Sequence, residues 1–343
     1  MACVLAGSLH AQSFNELLTS GGADANGKPA GLADANKYLN EYLRPYGEGQ
    51  IYNLTTGWYH SAKTHRKLGF DVSVSIHAAF VPKEKESFVF NNSDYSTLKL
   101  ADGTRTSASL PTFMGGGTSM QLRNTATNST ISAPPGIAAG IKKAIPNLSL
   151  AVPLPVAQIS VGLIKKTDIK LRYFPTTNIG NVKAGVFGVG VQHNIGQYIP
   201  VFDKLPLVHL SALAAYNKLT ASYLPGETQT TYLTTSNTSL DYSVNTFTVQ
   251  AIGSVKLLML ELYAGAGFYS GTSNIDLNGK YDFTYAGNAG KASLTNPISL
   301  NYKASGLTAT AGAKFSIAFF KFYADYTFAQ YKNLNLGVAF SFR

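Results

Sequence analysis

GLTATAGAKFSIAFFKFYADYTFAQYKNLNLGVAFSFR, residues 306–343, contains three successive runs in which apolar residues alternate with small or polar ones. Leu307, Ala309, Ala311, Ala313 and Phe315 interleave with Thr308, Thr310, Gly312 and Lys314. Phe320, Phe322, Ala324, Tyr326 and Phe328 interleave with Lys321, Tyr323, Asp325 and Thr327. In the last run Leu334, Leu336, Val338, Phe340 and Phe342 stand against Asn335, Gly337, Ala339 and Ser341. A period of two is that of a β-strand with one apolar and one polar face. Each run is about ten residues, the length with which a tilted strand crosses a hydrocarbon layer. Run length, the Phe and Tyr on the apolar face, and the ending on Phe342 and Arg343 point that face toward lipid.

Composition agrees with a barrel. The 343 residues are 45% hydrophobic with a mean hydropathy of +0.01, and no apolar run reaches the roughly 18 residues of a transmembrane helix. Charged residues make up 13%, while Tyr (20), Phe (19) and Gly (32) are abundant. A charge-poor, aromatic-rich, turn-rich chain suits a barrel with aromatic girdles, whose polar lumen residues dilute the lipid-facing ones. Residues 1–12 (MACVLAGSLHAQ) read as a secretory signal without its basic start, so a mature chain is expected to begin near Ser13. Cys3, the only cysteine, lies inside that segment, which leaves no disulfide and no cysteine metal site. The net charge of +10 forms no helical basic stripe with interleaved aromatics, so nucleic acid is not the expected partner. The expected partners are outer-membrane lipid and lipopolysaccharide.

Along the chain, residues 13–16 have the spacing of a helix capping box. Leu32, Ala35, Leu39, Tyr42 and Leu43 recur at helical spacing until Pro45, so residues 13–48 read as a helical plug or rim segment and residues 49–343 as the barrel. Leu54 to Tyr59, with the only tryptophan, reads as the first strand. Val72, Val74 and Ile76 mark the next, and three weaker strands are expected within 87–113. Residues 114–147 read as a long loop holding a short apolar helix with Ile137, Ile141 and Ile145 on one face, a candidate lid. Alternation resumes from Ala157 to Leu163, Ile169 to Tyr173, Phe187 to Val191, Val208 to Ala214, Leu240 to Val255 and Leu262 to Phe268. Residues 218–239 and 271–296 read as polar loops. The sum is an all-β, transmembrane antiparallel barrel of about fourteen strands, an even number as single-chain barrels have. With Arg343 in the periplasm, the long segments fall outside, and inside turns are expected near 83, 102, 166, 200, 256 and 317.

A secretory signal, a helical segment ending in Tyr42, Leu43, Arg44, Pro45 and Tyr46, and this barrel pattern resemble outer-membrane barrels of the FadL type, the long-chain fatty-acid transporters. The resemblance is closer still to uncharacterised outer-membrane barrels of similar length. It implies passage of small hydrophobic or amphipathic molecules through a plugged lumen and out by a side opening at a kinked strand. It transfers no ligand residue to a position here. From the alternation itself, Lys170, Arg172, Glu261, Lys314, Lys321 and Asp325 face the lumen, either as a salt-bridge network that satisfies buried charge or as basic groups that attract an anionic head group. His209 and Ser211 share one strand face, the arrangement of nucleophile and base in lipid-hydrolysing barrels. Ala212 stands where phospholipase barrels place Asn, so no catalytic residue is expected. His60 and His65 lack a third ligand at metal spacing. No metal or cofactor is expected; a non-transporting structural or partner-binding barrel is the alternative reading, and a lipid-active outer-membrane hydrolase the second alternative.

Overall fold

The computed structural model describes residues 31–125, 128–140, 150–203, 205–229, 233–284 and 291–342. The expected signal segment, the expected capping box, Ile141, Ile145 and Arg343 lie outside these. The described chain begins with a helix, α1 (Leu32–Thr55), and then β1 (Phe70–Phe80). Five short strands follow: β2 (Ser87–Asn91), β3 (Leu98–Leu100), β4 (Ser107–Pro111), β5 (Gln121–Asn124) and β6 (Thr130–Ser132). Then come β7 (Ala151–Gly162), β8 (Thr167–Ile179), β9 (Val182–Asn194), β10 (Val208–Tyr223), β11 (Leu233–Leu257) and β12 (Leu260–Thr284). The chain closes with β13 (Lys291–Thr295), β14 (Ile298–Ile317), β15 (Phe320–Phe328) and β16 (Lys332–Phe342).

One 11-stranded antiparallel sheet runs in the order β11-β10-β9-β8-β7-β1-β16-β15-β14-β12-β13, and the additional β11–β12 pairing closes it on itself. Because β13 pairs only with the far end of β12, ten strands form the ring. Closure leaves no sheet edge to solvate, the condition for a sheet to span a membrane. Burial alternates along the strands as the sequence pattern demands. In β1, for instance, Val72, Val74 and Ile76 are exposed, while Asp71, Ser73, Ser75 and His77 are buried. Phe315, Phe322, Val338 and Phe340 belong to the same outward apolar belt, and water would not tolerate a continuous patch of that size. The closed ring and its outward apolar belt are those of a membrane-spanning β-barrel of the outer-membrane kind.

The ring holds ten strands rather than the expected fourteen or so. Residues 54–59 are the end of α1 and a coil inside the lumen, not a strand. Strands do form within 87–113, but at three to five residues each they fall short of the roughly ten needed to cross the membrane. They pair as a β2-β4 sheet and a β3-β5-β6 sheet outside the ring. Turns 163–166, 258–259 and 318–319 gather at the Phe342 end, while the described residues of the excursion between β1 and β7 sit at the other end. Short turns mark the periplasmic side and long loops the extracellular side. The expected inside turns near 83 and 102 therefore lie outside, within that excursion. The supposed loops at 218–239 and 271–296 are largely extensions of β10, β11 and β12. At 25 residues each, β11 and β12 reach far beyond the hydrocarbon layer.

Pro45 does not end α1, which runs on to Thr55 because the lumen encloses it. Its start docks on the extracellular sheets: the amides of Ser96, Thr97 and Leu98 donate to the Asp34 carboxylate at 2.9, 2.6 and 2.9 Å. After Thr55 the chain passes down the lumen and enters β1 at the periplasmic end. Gly57 makes that exit possible. Its φ is +66°, and a Cβ there would lie 2.4 Å from His77 Nε2. Gly57→Ala should cost about 1–2 kcal/mol from the left-handed backbone alone and lower the temperature at which heat-modifiable gel migration is lost; an unchanged temperature would contradict this packing.

Candidate functional site: the filled lumen

An α-helix leaves its last four carbonyls without intrahelical donors, and α1 ends in the middle of the barrel with no basic residue in its last turn. The barrel wall supplies the donors. His77 Nδ1 lies 2.8 Å from the Asn53 carbonyl. Asn217 donates to the Leu54 carbonyl at 2.8 Å, and Gln250 to that of Thr55 at 3.5 Å. Arg172 spans the group, donating to Leu54 at 3.1 Å and to Thr56 at 2.8 Å. Its guanidinium stacks 3.9 Å from the Trp58 ring and donates through Nε to Gln158 at 3.0 Å. A buried cation thus faces the negative end of the helix dipole.

Above this point the seam between helix and wall is apolar. Leu39, Ile51 and Leu54 pack with Leu154, Val244, Ile275 and Leu300. Tyr52 stacks on Tyr331 with centroids 4.7 Å apart, and Tyr331 donates to Glu48 at 3.0 Å, which also pairs with Lys85. Below it the seam is polar. Ser61 donates to Glu261, Ser254 accepts from the Ala62 amide at 3.1 Å, and Gln192 donates to the Ser61 carbonyl at 3.0 Å.

Of the charges expected in the lumen, Lys170, Arg172, Glu261, Lys314 and Asp325 are buried, arranged in sets. Lys314 pairs with Glu261 at 2.6 Å. Asp325 accepts from Tyr263 at 3.0 Å and Asn335 at 2.5 Å. Lys170 is buried within Coulombic reach of Asp71 and Asp168. Lys321 is only partly buried, at the periplasmic mouth. His209 also lies near that mouth, with a buried Nε2 that has no hydrogen-bond partner among the described residues, beside a cleft of about 120 Å³ lined by Lys166, Asn194 and Gln197. Ser211 donates to the Ala62 carbonyl at 2.5 Å and has no hydrogen bond to His209 among the described residues, so the pair is not arranged as nucleophile and base. Ile137 is half-buried against the extracellular cluster, and its amide donates to the Phe113 carbonyl at 2.8 Å.

His60 and His65, which lack a third ligand at metal spacing in the sequence, meet carboxylates instead, Asp71 nearby in the chain and Asp168 103 residues from His65. His60 Nε2 is 3.1 Å and His65 Nε2 3.3 Å from Asp71 Oδ2, while His65 Nδ1 is 2.9 Å from Asp168 Oδ2. The Asp168 carboxylate also accepts the His65 amide at 2.9 Å. Burial drives His60 below its ordinary pKa. Burial pushes His65 the same way, but its bonds to Asp168 and Asp71 outweigh it, and the pKa is raised. With a carboxylate beside each ring nitrogen, the contacts of His65 favour its imidazolium form.

Ten antiparallel strands closed around their own N-terminal segment define a plugged outer-membrane barrel. The chain belongs to the family of unknown function DUF6588, whose model matches residues 1–342. No curated protein matches it. Among solved structures it is similar to Ail, the attachment invasion locus protein of Yersinia pestis, at 9% identity and a TM-score of 0.27, with 81% of this chain and 100% of that chain covered. The translocator domain of the autotransporter NalP from Neisseria meningitidis is 11% identical, with a TM-score of 0.27 over 81% of this chain and 90% of that one. The outer-membrane protease OmpT of Escherichia coli is 10% identical, with a TM-score of 0.27 over 82% and 100%. Likenesses at this level carry nothing about activity.

A histidine whose folded-state pKa is raised stabilises the fold fully below its unfolded value, about 6.5, and loses that contribution as pH rises through the folded value. His65→Gln should therefore cost about 2 kcal/mol near pH 5 and less near pH 9, measured by denaturant titration in detergent. An equal loss at both pH values would contradict the imidazolium.

Proposed function

We propose that this protein is a non-conducting, filled barrel that holds the small β-sheets of residues 81–150 on the cell surface as a structural or partner-binding element. The observation that carries this reading is the dry seam in the upper lumen, where Leu39, Ile51 and Leu54 are buried against wall side chains. Withdrawing α1 would expose that seam, at about 25 cal/mol for each Å² of apolar surface. It would also unpair the carbonyls that Arg172, Asn217 and Gln250 now satisfy. A pore kept ready to open would more economically have a wet, loosely packed plug.

Passage of small hydrophobic or amphipathic molecules, as in FadL-type transporters, is the second reading. It is favoured by the polar seam below Thr55, where Gln192, Ser254 and Glu261 hold residues 61 and 62, because water can replace such partners at low net cost. Planar-bilayer recording separates the two. The filled barrel predicts no steady conductance and no swelling of loaded liposomes in small solutes. A conductance that disappears when Gly49→Cys and Val152→Cys are oxidised to a disulfide, and returns on reduction, would overturn it in favour of the second reading.

A further inference from the structure

The basic surplus of the chain is gathered at one end. Arg66, Lys67, Lys165, Lys166 and Lys256 are exposed around the periplasmic mouth, with Lys321 partly exposed beside them. Among the side chains described at that end, the carboxylates Asp71, Asp168 and Glu261 are all buried. The extracellular end is mixed, with Glu84, Asp94, Asp102 and Glu227 exposed alongside its lysines.

The same periplasmic connections expose large apolar side chains. Leu68 follows Arg66 and Lys67, Ile164 precedes Lys165 and Lys166, Leu258 follows Lys256, and Phe319 precedes Lys321. Leu258 is 92% exposed at the tip of a tight turn, with φ +53°. A tight turn in water usually carries Asn, Asp or Gly at a left-handed position. Val201, in the connection between β9 and β10, is 66% exposed. An apolar tip beside a basic head is the arrangement by which a surface enters a lipid interface, the stem lying among acyl chains and the cation among phosphates.

We infer that the periplasmic rim is a binding surface for the phosphodiester head groups of anionic phospholipids in the leaflet it meets, with Arg66, Lys165, Lys166 and Lys256 as the cationic contacts and Ile164, Leu258 and Phe319 as the inserted anchors. Charge complementarity selects the lipid class, since each basic side chain near a membrane surface favours an anionic lipid and leaves a zwitterionic one unaffected. The apolar tips select a lipid over a soluble acidic partner, because they are continuous with the lipid-facing belt of Phe315, Phe320 and Phe340.

The test is electron spin resonance of spin-labelled lipids in vesicles of phosphatidylcholine containing the reconstituted full chain, in which the motionally restricted fraction reports lipids held at the barrel. Labelled phosphatidylglycerol should be held about fivefold more strongly than labelled phosphatidylcholine, and the preference should shrink in high salt. Combining Arg66→Gln, Lys165→Gln, Lys166→Gln and Lys256→Gln should bring the two lipids to parity. The matching set at the other end, Lys183→Gln, Lys291→Gln, Lys303→Gln and Lys332→Gln, should leave the preference intact. Heat-modifiable migration verifies that each variant is folded, and the salt dependence of the unsubstituted protein stands as a test by itself. No preference in the unsubstituted protein, or a preference removed equally by both sets, would overturn the inference. So would loss of the preference on adding soluble glycerol phosphate, which would assign the anion to the aqueous mouth and not to the leaflet.

Discussion

The structure depends on how a helix ends inside a membrane-spanning ring. The final carbonyls of α1 lie at the depth of the barrel wall, where bulk water cannot reach them, and each buried acceptor left unpaired would cost about 1–3 kcal/mol. Arg172 offsets part of that cost by bonding the carbonyls of Leu54 and Thr56. In return the helix end and the Trp58 ring compensate the guanidinium, which is otherwise a costly group to bury. Asn217, Gln250 and His77 complete the cap from other strands. These residues serve the plug, and the plug serves them: neither the polar lining nor the helix end is satisfied without the other.

From that point the lumen divides. Upward, helix and wall meet as a protein core meets itself, through Leu39, Ile51 and Leu54, and the core continues into the extracellular sheets through Tyr38, Phe90 and Leu122. Downward, the coil is held by hydroxyls, amides and the linked groups His60, Asp71, His65 and Asp168. The carboxylates there are spent on internal partners, while many lysines near them face outward. That asymmetry lets the interior be close to balanced while the periplasmic rim is strongly basic.

Much of the barrel was legible because a strand in a membrane has one degree of freedom that matters, its parity. Lipid forces every second residue to be apolar, so Phe322, Val338 and Ile159 declared their face, and Lys170, Arg172, Glu261 and Asp325 fell on the opposite one. The alternation fades where strands leave the hydrocarbon layer, and for that reason the far ends of β11 and β12 resembled loops. Residues 45–57 misled for a different reason. Pro45 read as the end of the helix and Leu54 to Tyr59 as a strand, yet α1 continues through Pro45, and its glycines allow close passage: a Cβ on Gly49 would lie 2.7 Å from Val152 Cγ2. The His65–Asp168 contact, 103 residues apart, has no local signature in the chain at all.

The claim that α1 is an integral part of the barrel is tested most directly by amide hydrogen exchange on the folded protein in detergent, read by mass spectrometry over peptides that cover residues 45–56. The account predicts that these amides exchange as slowly as those of β1 and β16, since they can open only when the barrel opens. Exchange within seconds, while the strands remain protected, would contradict it.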